Sequence, residues 1–316
     1  MKNINTRYGI LKGLSYMNYY ADGSIKECRL DDLNKLESPY GLLMPKYEYG
    51  EARSKHIPSI TFYSNGNLKK IYLEKQTEVK TPIGILPAEF ITFYENGGIK
   101  RIFPLNGKIT GYWSEEDEYN LAKQIEIDVS IGKLKEKVIA VHFYENGSIK
   151  SITFWNKNNI EINCPLGDVS VRIGISFYED GKLKSFEPAK PTAVPTPIGT
   201  IVAYDTGAMG IHGDSNSVKF SSEGRVKSLI TSTDTIEVIN KEGEKKLYKP
   251  LLKQSVIDEN FIEIVPLNIE FYEHKVKFTN DIHHKFPIEY SVDQCNFYIK
   301  SSPLKESSPC SSCTGY

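Results

Sequence analysis

The chain has 316 residues, with 39 Lys plus Arg against 40 Asp plus Glu and with 40% hydrophobic and 25% charged residues, an ordinary globular composition for one large domain or two smaller ones. A formal net charge of -1 argues against a dedicated binder of nucleic acid or of anionic membrane, and no apolar run nears the roughly 18 residues that a membrane helix needs. Because alanine favours helices and aromatics favour strands, 20 Tyr and 14 Phe against nine Ala predict a mostly β chain.

The first residues, Met1 to Tyr8, lack the apolar core of a secretory signal, so a cytoplasmic protein is expected. Five cysteines, Cys28, Cys164, Cys295, Cys310 and Cys313, are too sparse for a secreted disulfide framework. Cys28 and Cys164 fall at strand positions, where a thiol packs as a small hydrophobe.

One phrase then recurs along the chain: YYADGSIK, FYSNGNLK, FYENGGIK, FYENGSIK, FYEDGKLK and FSSEGRVK, centred on Gly23, Gly66, Gly97, Gly147, Gly181 and Gly224. An aromatic precedes each glycine by four residues (Tyr19, Phe62, Phe93, Phe143, Phe177, Phe220), and an aliphatic or Met lies two places earlier still. Asp, Asn or Glu before the glycine, between alternating apolar runs, predicts a β-hairpin in which glycine supplies a positive φ. A weaker turn falls between these hairpins at Pro39-Tyr40-Gly41, Pro82-Ile83-Gly84, Pro165-Leu166-Gly167 and Pro197-Ile198-Gly199, with looser versions at Gly9, Gly132 and Gly243.

The bare unit is about 32 residues, two strands with one turn type at each edge, and seven such units fill a domain of residues 8–290. Their boundaries fall near 9–40, 41–83, 84–131, 132–166, 167–198, 199–242 and 243–290, followed by a flexible Cys-containing tail, 291–316. The expected fold is all-β: an elongated, curled antiparallel meander sheet, with a closed barrel or a propeller-like arrangement as the alternative. Ile99 and Ile102 share a face only if a bulge intervenes.

The FYENG-x-IK phrase resembles the bacterial MORN-repeat variant of the YwqK-like family, over the hairpin half of each unit. That resemblance implies a repeat-built β scaffold in binding or antitoxin-like roles and supplies no catalytic residues. The Pro-x-Gly half departs from the family pattern.

Residues added to the bare unit are where function is sought. Unit two gains about 11 residues around Met44 to His56, including Tyr47 and Tyr49; unit three gains about 17 in Asn106 to Tyr119, including Tyr112 and Trp113; unit six gains about 11 in Thr206 to Ser217. In the second insertion, Ser114 followed by Glu115, Glu116 and Asp117 reads as a helix N-cap with acids in the first turn, or alternatively as oxygen ligands or a base beside Trp113. In the third, His212, Asp214 and Ser215 among glycines read as a plain turn or as a base with its orienting partner. Glu116, His212 and Asp214 are therefore the catalytic candidates.

Three residues past each hairpin glycine stands a lysine, Lys26, Lys69, Lys100, Lys150, Lys184 and Lys227. The column suits either a soluble edge that deters aggregation or a row of cations backed by Tyr20, Tyr63, Tyr94, Tyr144 and Tyr178 that receives an acidic partner. In the tail, Cys310 and Cys313 form a Cys-x-x-Cys pair, and Cys295, His283 and His284 would complete a zinc or iron–sulfur set if the chain folded back. Three functions follow: a non-catalytic scaffold binding another protein, with Lys column, Tyr47, Tyr49, Tyr112 and Trp113 as contacts; a metal or thiol protein; and an enzyme with a His/Asp/Glu site in the inserted loops.

Overall fold

The computed structural model describes residues 3–47, 57–106, 114–155, 157, 159–209, 213–254, 262–279 and 288–302. The chain divides into two compact units, the first comprising Met1–Ile160, Arg172–Lys184 and Gly210–Ser215, the second Glu161–Val171, Ser185–Met209 and Asn216–Tyr316.

In the first unit, short ribbons alternate with sheet hairpins. β1 (Ile4–Thr6) and β2 (Gly9–Leu11) form a ribbon, β3 (Leu14–Tyr19) and β4 (Ile25–Leu30) a sheet hairpin, and β5 (Leu36–Ser38) and β6 (Gly41–Leu43) a second ribbon. β7 (Ile60–Phe62) pairs with the start of β8 (Leu68–Thr81), and the end of β8 forms a ribbon with the start of β9 (Gly84–Phe93). β9 then pairs with β10 (Ile99–Phe103). After helix α1 (Glu115–Leu121), β11 (Gln124–Val129) makes a ribbon with the start of β12 (Gly132–Phe143), whose end pairs with β13 (Ile149–Phe154). β14 (Ile160–Cys164) beyond Ile160 and the start of β15 (Gly167–Phe177) up to Val171 belong to the second unit, while the later residues of β15 pair with β13.

Two rows cross this sheet, one residue per strand. Met17, Cys28, Ile60, Ile71, Ile91, Ile102, Val141, Ile152 and Ile175 lie side by side, and all but Met17 are fully buried. Beside them on the opposite face run Asn18, Glu27, Thr61, Lys70, Thr92, Arg101, His142, Ser151 and Ser176. Strand alternation thus sends the apolar row to one face and the polar row to the other, where His142, Ser151 and Ser176 are themselves buried. The bulge that Ile99 and Ile102 require is present as a register shift between Ile99 and Arg101, and both isoleucines are buried.

Each of the six sheet hairpins closes in one way, as in Tyr94 N–H to the Gly98 carbonyl (2.7 Å) and Gly97 N–H to the Tyr94 carbonyl (3.0 Å). Their glycines sit at φ between +80° and +92°. Gly243, read above as a loose second turn, belongs to this class: its φ is +80° and Asn240 N–H donates to the Glu244 carbonyl. The ribbon turns differ. A Ser or Thr three residues before their glycine donates to its carbonyl, as Thr6, Ser38, Thr81 and Thr196 do at 2.6 to 2.7 Å.

The two turn types do not lie at opposite edges. Tyr40 Oη donates to the Gly97 carbonyl at 2.8 Å, Ser130 Oγ donates to the Gly181 carbonyl at 2.5 Å, and Pro82 occupies the space a side chain at Gly147 would need. In the first unit each ribbon therefore folds back over the sheet and buries Leu11, Leu36, Leu43, Val79, Leu86 and Ala88 as a second layer. Successive hairpins are tied by tyrosine hydroxyls: Tyr20 donates to the Phe62 carbonyl, Tyr63 to Phe93, Tyr94 to Phe143 and Tyr144 to Phe177, at 2.7 to 2.9 Å.

The second unit holds a sheet of β16 (Leu183–Pro188), β19 (Val218–Phe220), β20 (Val226–Thr231), β25 (Leu267–Tyr272), β26 (Lys275–Thr279) and β27 (Ile288–Ser291), with the ribbon β17 (Thr192–Thr196) and β18 (Gly199–Ala203). A three-stranded sheet joins β21 (Asp234–Ile239), β22 (Lys245–Tyr248) and β28 (Asn296–Ser301), and β23 (Leu251–Gln254) pairs with β24 (Ile262–Val265). Buried Asp234 accepts the Val202 N–H at 2.8 Å and the Thr233 hydroxyl at 2.9 Å. Strand β28 lies inside the segment read from sequence as a flexible tail, because Phe297 and Ile299 have the period-2 spacing that pairs with Val238 and Ile236. The fold is thus an all-β antiparallel meander; among the described residues β3 pairs only with β4 and β27 only with β26, so it is not a closed barrel.

Candidate functional site

Of the catalytic candidates, Asp214 is the one held in a cluster. Its carboxylate lies 3.1 Å from Arg101 Nη2 and 3.3 Å from His142 Nδ1, and the Ser151 hydroxyl also reaches it. Arg101 and His142 are cross-strand neighbours on β10 and β12, and Ser151 faces His142 from β13. The three belong to the polar row, which is why one loop residue meets all of them. Gly213 N–H donates to Thr153 Oγ1 at 2.7 Å, and a Cβ on Gly213 would run into the Ile152 carbonyl, so this position takes glycine.

The electrostatics favour a latch. His142 Nδ1 lies 2.9 Å from Arg101 Nη2, which can only donate, and 3.3 Å from an Asp214 carboxylate oxygen, which as an anion can only accept, so this ring nitrogen serves one or the other according to its tautomer. Burial, the largest influence, pushes the His142 pKa below its ordinary value, with the Arg101 charge acting the same way. Burial alone would raise the Asp214 carboxyl, yet His142, the Ser151 hydroxyl and the Arg101 charge hold it well below the usual carboxylate range. His142 Nε2 is buried and meets no hydrogen-bond partner among the described residues. The anion is thus held jointly by Arg101, His142 and Ser151.

The other candidates lie apart. Glu116 pairs with Lys157 at 2.8 Å on the exposed side of α1. Ser114 caps that helix in a capping box with Asp117, as the N-cap reading requires. His212, Tyr49, Tyr112, Trp113, His283, His284, Cys310 and Cys313 lie outside the described residues. Tyr47 donates its N–H to Glu74 at 2.9 Å, Cys295 is half-buried, and among the described residues no three metal-type side chains cluster. Burial pushes the Cys28 thiol up to about 12, consistent with packing inside the apolar row, and Cys164 takes the Ser/Thr place of a ribbon turn by accepting the Leu166 N–H.

Lys26, Lys69, Lys100, Lys150 and Lys184 each lie over the ring of the tyrosine six residues earlier, Nζ to centroid 5.2 to 5.8 Å. Four of these tyrosines, Tyr20, Tyr63, Tyr94 and Tyr144, are those whose hydroxyls tie successive hairpins, so the lysines over them brace the ties. Lys227 is exposed, with Ser221 at the tyrosine position of its hairpin. In the first unit a cleft of about 560 Å³ opens between turns, lined by Arg7, Tyr8, Tyr40, Asn67 and Asn96 among others. Arg7 is occupied there, donating to Asn67 Oδ1 and the Asn65 carbonyl.

The second unit carries a surface that sequence reading passed over. Strands β23 and β24 pair only with each other among the described residues, and they are apolar on both faces: Leu252 faces Ile264 on one side, Leu251 faces Val265 on the other. Leu252 is 70% exposed and Ile262 61%. The signal was present in Leu251-Leu252 and Ile262-Glu263-Ile264-Val265, which carry strand residues without the hairpin phrase. No helix among the described residues is long and apolar enough to cross a membrane. Comparison with protein-family models, with curated proteins and with solved structures gave no match.

Proposed function

We propose that this chain is a non-catalytic, repeat-built binding scaffold of the cytoplasm that engages another protein, its hairpin units being of the MORN-repeat variant kind that they resemble. The observation that carries the reading is the β23–β24 ribbon: two strands with exposed Leu252 and Ile262 on one face and exposed Leu251 on the other cannot bury that surface on themselves. The engagement of Asp214 by Arg101 and the burial of His142 support a holding role for the inserted loop in place of acid–base chemistry. The test is affinity capture from the source cells with the wild-type chain and a Leu252→Asp, Ile262→Asp variant, both checked for an unchanged circular dichroism spectrum. The variant is expected to lose a partner that the wild type retains. Equal recovery of the same proteins by both would defeat the proposal.

A further inference from the structure

Among the described residues β3 is an edge strand of the first unit, and it presents two core columns without the cover they have elsewhere. The aromatic four residues before each hairpin glycine is at most 2% exposed at Phe62, Phe93, Phe143, Phe177 and Phe220, yet Tyr19 in the same place is 41% exposed. Met17, which begins the buried apolar row, is likewise only half-buried. β3 carries no charged residue and no proline, the usual guards of an open edge.

From this we infer that β3 pairs with β3 of a second copy of the chain, antiparallel and about a twofold axis at Met17. Three observations select that occupant. The joints inside this sheet are short: β4 with β7 and β10 with β12 share only two residue pairs each, and β13 with β15 three. The run Tyr16–Met17–Asn18 offers a joint of the same length, ended by the bulge at Ser15. Partners across a strand pair must point to the same face, so the register has to match polar row with polar row and apolar row with apolar row. Met17 against the partner's Met17, with Tyr16 against the partner's Asn18, meets this condition and continues both rows. Finally, a strand free of charge meets no like-charge repulsion from its own copy, whereas a charged partner would find no complement on β3. This surface is separate from the β23–β24 ribbon and does not depend on the function proposed above.

Cysteine scanning tests the register. Met17→Cys places two thiols at a cross-strand pair with Cα atoms about 5 Å apart, within disulfide range, whereas Asn18→Cys leaves its own mate about 8 Å away. The full chain is expected to run in light scattering at twice its 35.8 kDa mass, Met17→Cys to form a covalent dimer on mild oxidation, and Asn18→Cys not to. Met17→Lys, at a half-exposed position, should give a folded monomer by circular dichroism. A wild-type monomer at the highest soluble concentration, a dimer that survives Met17→Lys, equal crosslinking of the two cysteine variants, or a series growing beyond the dimer by head-to-tail contact would each overturn the inference.

Discussion

Replacing Asp214 with Asn tests whether the inserted loop is pinned by charge. Removing one partner of a fully buried ion pair costs about 3–5 kcal/mol. The Arg101 and Asp214 side chains are 15% and 30% exposed, so part of that penalty is relieved by water. About 2 kcal/mol is the expected loss for Asp214→Asn, and Arg101→Met should cost a similar amount because it strands the anion. Since each substitution removes the same pair, the double variant should lose little more than either single one, a coupling of about 1.5 kcal/mol. Trp155 is buried in the first unit, so its fluorescence in urea follows that unit's unfolding. A coupling within about 0.3 kcal/mol of zero would refute the latch, because additive losses mean that the two side chains do not act on one another.

Further outcomes follow from the same geometry. Gly213→Ala should free the loop and increase proteolytic cleavage within Thr206–Ser217 while the sheet stays folded, since its methyl would meet the Ile152 carbonyl; unchanged cleavage speaks against the close approach. Tyr94→Phe removes the 2.7 Å bond to the Phe143 carbonyl and should cost about 1 kcal/mol in urea unfolding, whereas Tyr19→Phe, whose hydroxyl meets only Met17 Sδ, should be near neutral. For pH, the folded His142 pKa lies below the ordinary 6.5, so the unfolded chain takes up the proton first as pH falls. His142 therefore lets the fold keep full stability above that value and weakens it below by up to about 1 kcal/mol per pH unit, until the folded pKa is reached. His142→Gln should flatten the stability profile between pH 6.5 and the folded pKa, and an unchanged slope there contradicts a folded His142 pKa lowered by burial.

The hairpins were legible because their signals are local: glycine at positive φ, an Asn or Asp before it, and an apolar residue every second place. Even the bulge beside Ile99 was implied by spacing alone. The back-folded ribbons were not anticipated, although Thr6, Ser38, Thr81 and Thr196 each stood three residues before a turn glycine. A hydroxyl that closes a turn reports its geometry, but the direction in which the ribbon then packs depends on contacts such as Tyr40 to Gly97, 57 residues away. The candidate site was half legible for the same reason. Asp214 stood out among glycines, but His142 lies 72 residues earlier on a strand, and it is the anchoring of the inserted loop at Gly213 to Thr153 that brings Asp214 to the Arg101–His142 cross-strand pair. His142 and Arg101 occupy the polar row beside Ser151 and Thr92, a column of polar residues at one phase of successive strands that sequence spacing does contain.

The central claim, that the second unit's exposed ribbon is a protein-binding surface, is tested most directly by amide hydrogen exchange of the chain with and without its captured partner. The account predicts added protection concentrated in Leu251–Gln254 and Ile262–Val265, with the sheet hairpin turns unchanged. Protection that leaves both ribbon strands untouched and falls elsewhere would contradict it.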